Sequence, residues 1–370
     1  MPMQRWLNPN IGRLVPYEPG RPIEDVARDL GMDPQDISKL ASNENPLGPS
    51  PKAVRAMKKF AGESHLYPDG GGFNLRQRLA THLGVTRDNL ILGAGSNEII
   101  EFVGHACMGP NTSVVASQYA FVVYKLVAGM FGATFIEVPA KDYGHDLKAM
   151  EKAIRPDTSV ICLCNPNNPT GTLISEKELT RFIERVPEDK LIILDEAYYE
   201  ICLGKMPDAL RYVKEGRKNV LVLRTFSKAY GLAGMRIGYG VGHPEVITAL
   251  QKARQPFNTT RLGQQAAEAA LDDQGFVRRS RALFRKGRDY MEQELAAMGL
   301  EFVHSYANFM LIKVGDGAKV CNELTKLGVI ARPVGGYSLP TFLRISFGTM
   351  EQNEKFIRCL KQVMKRGCRL

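Results

Sequence analysis

In Arg224-Thr-Phe-Ser-Lys228-Ala-Tyr-Gly-Leu-Ala-Gly-Met-Arg236, a lysine follows an apolar run and sits among small and apolar residues, with an arginine eight positions on. A lysine amine attacks carbonyls once its surroundings lower its pKa, because the neutral form carries the lone pair. A single loop lysine is more often a solvated surface group, so the assignment depends on other segments. The second, Leu191-Ile-Ile-Leu-Asp195-Glu-Ala-Tyr198-Tyr199, ends an apolar run on a carboxylate. Open α/β sheets bind ligands beyond the carboxyl ends of their strands, where an Asp is placed to receive a positively charged ring nitrogen. Its competing role there is a helix cap. The third, Cys164-Asn-Pro-Asn-Asn168-Pro-Thr-Gly171, sets two Asn-Pro pairs directly after a strand-like run. An ordinary turn needs one proline, and Asn side chains offer both donors and acceptors. The fourth, Leu92-Gly-Ala-Gly95-Ser96-Asn-Glu98, leads a glycine-rich turn into a helix whose first N–H groups face an anion. Taken alone it reads first as a tight turn.

All four segments fall where strands are expected to end. Together they supply an anion cradle, a carboxylate, a hydrogen-bonding loop and a reactive lysine. This set matches the needs of a pyridine-ring aldehyde that carries a phosphate, with Lys228 forming a Schiff base and Asp195 at the ring nitrogen. A P-loop or dinucleotide enzyme is a poor rival, since 93–96 carries neither fingerprint. A non-catalytic ligand-binding or regulatory protein on the same fold is opposed by the intact Lys228, Asp195 and Asn168.

The surrounding pattern predicts the elements that hold these residues. Residues 89–92, 113–116, 134–138, 159–164, 191–194, 220–224 and 236–241 read as strands, with helices over 98–108 and 121–129. Strands alternating with helices predict an α/β fold with a mostly parallel sheet covered on both faces. Upstream, 22–30, 51–60 and 73–83 read as helices, and Tyr67-Pro-Asp-Gly-Gly-Gly72 is a turn cluster. Past residue 276 the texture changes. A long helix over 277–298, runs at 309–312 and 343–347, and helices over 318–327 and at the end suit a smaller α+β layer. The expected division is a large α/β domain of 46–275 and a small α+β domain formed by 1–45 with 276–370.

With 370 residues, 44% hydrophobic and 24% charged, the chain is long and apolar enough for a large core and a cleft between domains. That excludes a disordered chain or a disulfide-stapled miniprotein. The net charge of +10 is spread along the chain, and the dense stretch at 361–369 reads as the polar face of a last helix. No arm or stripe for nucleic acid stands out. The seven cysteines show no metal-ligand spacing, and the six histidines match no motif, so no metal is expected. An odd cysteine count, no signal-like segment over 1–6 and no apolar run of membrane length give a cytoplasmic, non-membrane expectation.

Across nearly its whole length the sequence resembles the fold-type I, pyridoxal-phosphate-dependent aminotransferases, and within them the branch that acts on histidinol phosphate. The resemblance is carried by Leu40-Ala-Ser-Asn43-Glu-Asn-Pro-Leu-Gly-Pro-Ser50, Tyr67-Pro-Asp, Asn168-Pro-Thr-Gly, Asp195-Glu-Ala-Tyr198 and Ser227-Lys228. It extends to Arg332-Pro-Val-Gly-Gly-Tyr-Ser-Leu-Pro340 and Leu343-Arg344-Ile-Ser-Phe-Gly-Thr349. It implies a large domain built on a seven-stranded sheet and a pyridoxal 5'-phosphate cofactor, bound covalently to Lys228, which later shuttles the proton. It also implies that Asp195 pairs with the ring nitrogen and that Asn168 and Tyr198 hydrogen-bond the phenolic oxygen. The phosphate would be held by backbone N–H groups of Gly95 and Ser96, the hydroxyls of Thr225 and Ser227, and Arg236. Tyr67 would reach it from the neighbouring subunit of a homodimer with shared sites. Phe121 would stack on the ring, where many relatives carry Tyr or Trp. Arg344, helped by Arg332 and Tyr17, would grip the substrate's carboxylate or phosphate. Asn43 and Asn308 would line that pocket, and Asn258 would come from the partner chain. The implied reaction moves an amino group from histidinol phosphate to 2-oxoglutarate, in histidine biosynthesis. Aromatic amino acid transamination and threonine-phosphate decarboxylation are the alternatives on the same scaffold.

Overall fold

The computed structural model describes residues 6–16 and 20–365. Tyr17 lies outside the described residues. The largest element is a seven-stranded sheet. Across it run Leu90–Gly93, Gly238–Gly242, Val220–Thr225, Leu191–Asp195, Thr158–Cys164, Ser113–Ser117 and Thr134–Val138. Gly238–Gly242 is antiparallel to both neighbours, and the other pairings are parallel. The central strands are unbroken apolar runs because both their faces are covered. Along Leu191–Asp195 the two faces separate with period two. Ile192 and Leu194 enter one core, while Leu191 and Ile193 enter the other.

The parallel register determines where the site forms. Cys164 pairs with Asp195, and Asp195 pairs with Leu223. Gly238, the first residue of the antiparallel strand, pairs with Thr225 on one side and Gly93 on the other. The ends of five strands therefore lie side by side along one edge of the sheet.

A second sheet of four antiparallel strands carries Arg332–Val334, Leu339–Ser346, Phe309–Lys313 and Phe302–Val303. A two-stranded parallel sheet joins Ser38–Lys39 to Val329–Ile330, tying the start of the chain to its C-terminal part. The helix Gln274–Ala297 begins this half of the molecule, and Met350–Lys365 is its last described helix.

Some boundaries differ from expectation. The strand expected over 236–241 begins at Gly238, because Arg236 adopts a left-handed backbone (φ 49) after the short turn Ala233–Met235. The helix expected from 121 is Val123–Met130, and the one expected from 98 starts earlier, as Ser96–Cys107. Five described helices that the pattern did not predict, Leu147–Ala153, Glu176–Arg185, Leu210–Lys214, Pro244–Ala253 and Arg261–Leu271, complete the layers.

Candidate active site

At the edge where the strands end, Lys228 follows the strand Val220–Thr225 and donates from Nζ to the Ser42 carbonyl at 3.2 Å. The residue keeps some exposure, but its amine is enclosed. Burial lowers the amine to about 8, and the positive charges of Arg344 and Arg236 push the same way, against Glu44 and Asp195. The nitrogen therefore has a neutral, nucleophilic population near physiological pH.

Asp195 closes the neighbouring strand and is 2% exposed. The Tyr124 hydroxyl donates to its Oδ2 at 2.9 Å and the Ala197 N–H to its Oδ1 at 3.2 Å. Burial raises its carboxyl to about 6, while those donors and Lys228 oppose the rise. Tyr124 was not among the residues selected from the sequence.

Next to this pair, Asn43 Nδ2 donates to the Tyr198 hydroxyl oxygen at 3.0 Å, which leaves the phenol's own proton free to be donated elsewhere. Burial holds the Tyr198 phenol well above its ordinary range. Asn43 has a left-handed backbone (φ 55), accepts from Ser346 Oγ at 2.9 Å, and takes the Asn308 amide on its carbonyl at 3.0 Å. Asn308 is fully buried, and its Oδ1 has no hydrogen-bond partner among the described residues. Arg344 donates from Nη1 to Asn168 Oδ1 at 2.7 Å and from Nη2 to the Ala41 carbonyl at 2.5 Å. With its carbonyl occupied, Asn168 has its amide N–H groups left to offer. Arg332 pairs in register with Arg344 on the adjacent strand.

The anion cradle forms where Gly93, Gly238 and Thr225 meet. Gly95 (φ 81) caps the helix Ser96–Cys107, and a Cβ there would lie 2.8 Å from Arg236 Nη2. A Cβ on Gly238 would lie 2.5 Å from the Ser96 nitrogen. Arg236 is anchored on the carbonyls of Ala94 (3.0 Å) and Ala233 (3.1 Å), and Thr225 Oγ1 lies 3.0 Å from Ser227 Oγ. Glycine is thus required where backbone and guanidinium close on one point. A helix N-terminus with an arginine and two hydroxyls suits a phosphate. The donors fit a phosphorylated pyridine aldehyde: an anion cradle at one end, a carboxylate beside it and an amine between.

Two residues expected to act across a subunit boundary have these contacts within their own chain. Tyr67 projects from the surface, 79% exposed, stacked on Phe257 at 4.7 Å. Asn258 is held within its own chain, donating to Glu98 Oε2 at 2.6 Å and to the Leu92 carbonyl at 3.2 Å. Phe121, expected to stack on the ring, packs edge-on to Tyr124 at 5.9 Å, and nearby in sequence Tyr119 stacks on Tyr143 at 6.1 Å.

The family model for aminotransferase class I and II matches residues 35–360, and the chain belongs to that family. It is 47% identical to the histidinol-phosphate aminotransferase of Akkermansia muciniphila over 365 residues, covering 98% of this chain and all of the relative. Histidinol-phosphate aminotransferase 1 of Thiobacillus denitrificans is also 47% identical, over 96% of this chain and 93% of its own. Among solved structures, the histidinol-phosphate aminotransferase of Sinorhizobium meliloti in complex with pyridoxal-5'-phosphate superposes with a TM-score of 0.89 at 28% identity, covering 98% of both chains.

Proposed function

We propose that the protein is a pyridoxal 5'-phosphate-dependent aminotransferase that converts histidinol phosphate and 2-oxoglutarate to imidazole acetol phosphate and glutamate, a step of histidine biosynthesis. One observation carries the reading: the enclosed amine of Lys228 and the buried carboxylate of Asp195 share a sheet edge with the Gly95–Arg236 cradle. The substrate assignment is supported by the full-length similarity to relatives that carry that name.

When bound, the cofactor supplies an electron sink for the carbanion formed at the substrate's Cα. Gly95, Ser96, Thr225, Ser227 and Arg236 would hold its phosphate, and Asp195 would pair with its ring nitrogen. Asn168 and Tyr198 would donate to its phenolic oxygen, and Phe121 would stack on its ring. Lys228 Nζ would take the Cα proton and deliver it to the cofactor's aldehyde carbon, a transfer of the kind typically worth about 10²–10⁴-fold in rate. Arg344, helped by Arg332 and Tyr17, would receive the phosphate of one substrate and the carboxylate of the other, since a planar guanidinium binds either bidentately. Asn43 and Asn308 shape that pocket.

The reading includes a large domain of 46–275 and a small one of 1–45 with 276–370. It also includes a homodimer in which Tyr67 reaches the neighbouring phosphate, supported by that ring's exposure. A cytoplasmic setting is supported by free thiols at the six described cysteines. No described helix is long and apolar enough to cross a membrane.

The test is product analysis with histidinol phosphate, phenylalanine and O-phosphothreonine in competition, 2-oxoglutarate being present. Glutamate and imidazole acetol phosphate should dominate. Preferential use of phenylalanine, or carbon dioxide released from O-phosphothreonine, would overturn the substrate assignment. Lys228→Ala should abolish both turnover and the cofactor's visible absorption.

A further inference from the structure

We infer that Tyr124 is a positioning residue: by donating its phenol proton to Asp195 Oδ2, it fixes the orientation and the ionised state in which that carboxylate meets the ring nitrogen. The inference rests on the reading of Asp195 given above and assigns the group behind it.

Tyr124 belongs to the helix Val123–Met130, is fully buried, and places its hydroxyl 2.9 Å from Oδ2. A buried phenol without a partner is costly, so this hydrogen bond also holds the helix to the strand end. The other carboxyl oxygen takes the Ala197 N–H at 3.2 Å. With one donor on each oxygen, the carboxyl plane is set, and each oxygen retains a lone pair for a further partner. The ionisable groups acting on Asp195 and its donor are the phenols of Tyr124 and Tyr198, the thiols of Cys162 and Cys164, and the amine of Lys228.

Among these, burial works against the carboxylate, and the cation opposing it is Lys228. That charge is unreliable, because Lys228 loses it whenever its amine deprotonates or reacts. The Tyr124 donor persists through such changes, since burial pushes its own phenol well above the ordinary range and keeps it protonated. The same ring packs edge-on to Phe121, so one helix end sets both the carboxylate and the aromatic proposed to cover the cofactor.

Tyr124→Phe keeps the ring and removes the donor. Two measurements on the full chain read the consequence. In cofactor-free protein labelled with carboxyl-¹³C aspartate, the Asp195 midpoint should rise by about one to two pH units, roughly 10- to 100-fold in its proton equilibrium, the size of a hydrogen bond to a charged group. In protein loaded with ring-¹⁵N pyridoxal phosphate, the more basic carboxylate should draw the shared proton away from the ring nitrogen, moving the ¹⁵N signal at neutral pH toward that of an unprotonated pyridine. 3-Fluorotyrosine at position 124 is a stronger donor and should move both readouts in the opposite direction, which keeps the test available if Tyr124→Phe fails to fold. An Asp195 midpoint unchanged in both proteins overturns the inference. A wild-type ring nitrogen unprotonated at every pH is a separate failure, visible before any variant is made, and overturns the Asp195 reading together with this one.

Discussion

Asp195 illustrates how a functional residue opposes stability. Its folded carboxyl titrates near 6 against an ordinary 3.8, so above about pH 6 the fold holds a charge that burial disfavours. Between pH 6 and 4 the folded state takes up a proton before the unfolded state does, and the cost disappears. Asp195→Asn should therefore stabilise the cofactor-free protein by about 1–3 kcal/mol at pH 7.5, with the gain vanishing below about pH 4. Melting curves across pH check this, and an equal or lower midpoint at pH 7.5 would refute it. Lys228 gives the opposite pH dependence in reactivity. Its amine is depressed to about 8, so the neutral fraction falls tenfold for each unit below that value. Cofactor capture by the apoprotein, followed by absorbance, should accelerate up to about pH 8 and level off above it; a rate flat from pH 6 to 9 would contradict an enclosed amine. Both residues were legible in the sequence because Asp195 ends an apolar strand and Lys228 closely follows one, where few charged groups belong. Tyr124 was not, because its partner lies 71 positions away and a tyrosine inside a helix carries no local signature of that contact. Asn258's contact with Glu98 was hidden for a related reason, since its partner lies 160 positions away.

The loop that carries Lys228 is braced by a segment far from it in sequence. Asn45 Nδ2 donates to the Ala229 carbonyl at 3.1 Å and to Ser280 Oγ at 2.8 Å, and the Ser50 N–H donates to the Tyr230 carbonyl at 3.1 Å. The closest approach is at Gly231 (φ 68), where a Cβ would lie 2.0 Å from the Gly48 carbonyl oxygen. Gly216 has similar backbone (φ 82) but open space around it. Gly216→Ala should cost about 1 kcal/mol, the price of a left-handed L-residue. Gly231→Ala must also displace backbone, and should cost at least about twice as much while loosening cofactor binding. Urea unfolding of the two variants tests this, and equal losses would show that the contact with Gly48 is unimportant. Element legibility follows the same physics. The strands of the large sheet stood out because burial on both faces demands continuous apolar runs. Glu176–Arg185 escaped notice although Ser175 and Glu178 form a capping box, because it buries a narrow stripe of Leu179, Phe182 and Ile183. The two-residue strands Ser38–Lys39 and Val329–Ile330 are too short to show any period.

At the scale of the molecule, an apolar group stands exposed around the turn after residue 66. Leu66 is 48% exposed, Tyr67 79%, Phe73 55% and Phe257 48%. Single exposed apolar residues are common, but a neighbouring set that includes a stacked aromatic pair favours a surface that another molecule covers. In the proposed homodimer, Tyr67 of one subunit completes the phosphate cradle of the other, and this arrangement can be tested without a structure of the complex. Lys228→Ala lacks the amine but keeps Tyr67, and Tyr67→Ala keeps the amine but lacks the trans contact. In a hybrid dimer, the site built from the intact Lys228 and the partner's intact Tyr67 is whole, while the other site carries both defects. Random exchange of equal amounts makes half the dimers hybrids with one whole site in two, so about a quarter of wild-type sites should return. The assay is run at a cofactor concentration too low to fill the Tyr67→Ala sites. If Tyr67 served its own subunit, no mixture could assemble a whole site, and activity after exchange would stay at the average of the two parents.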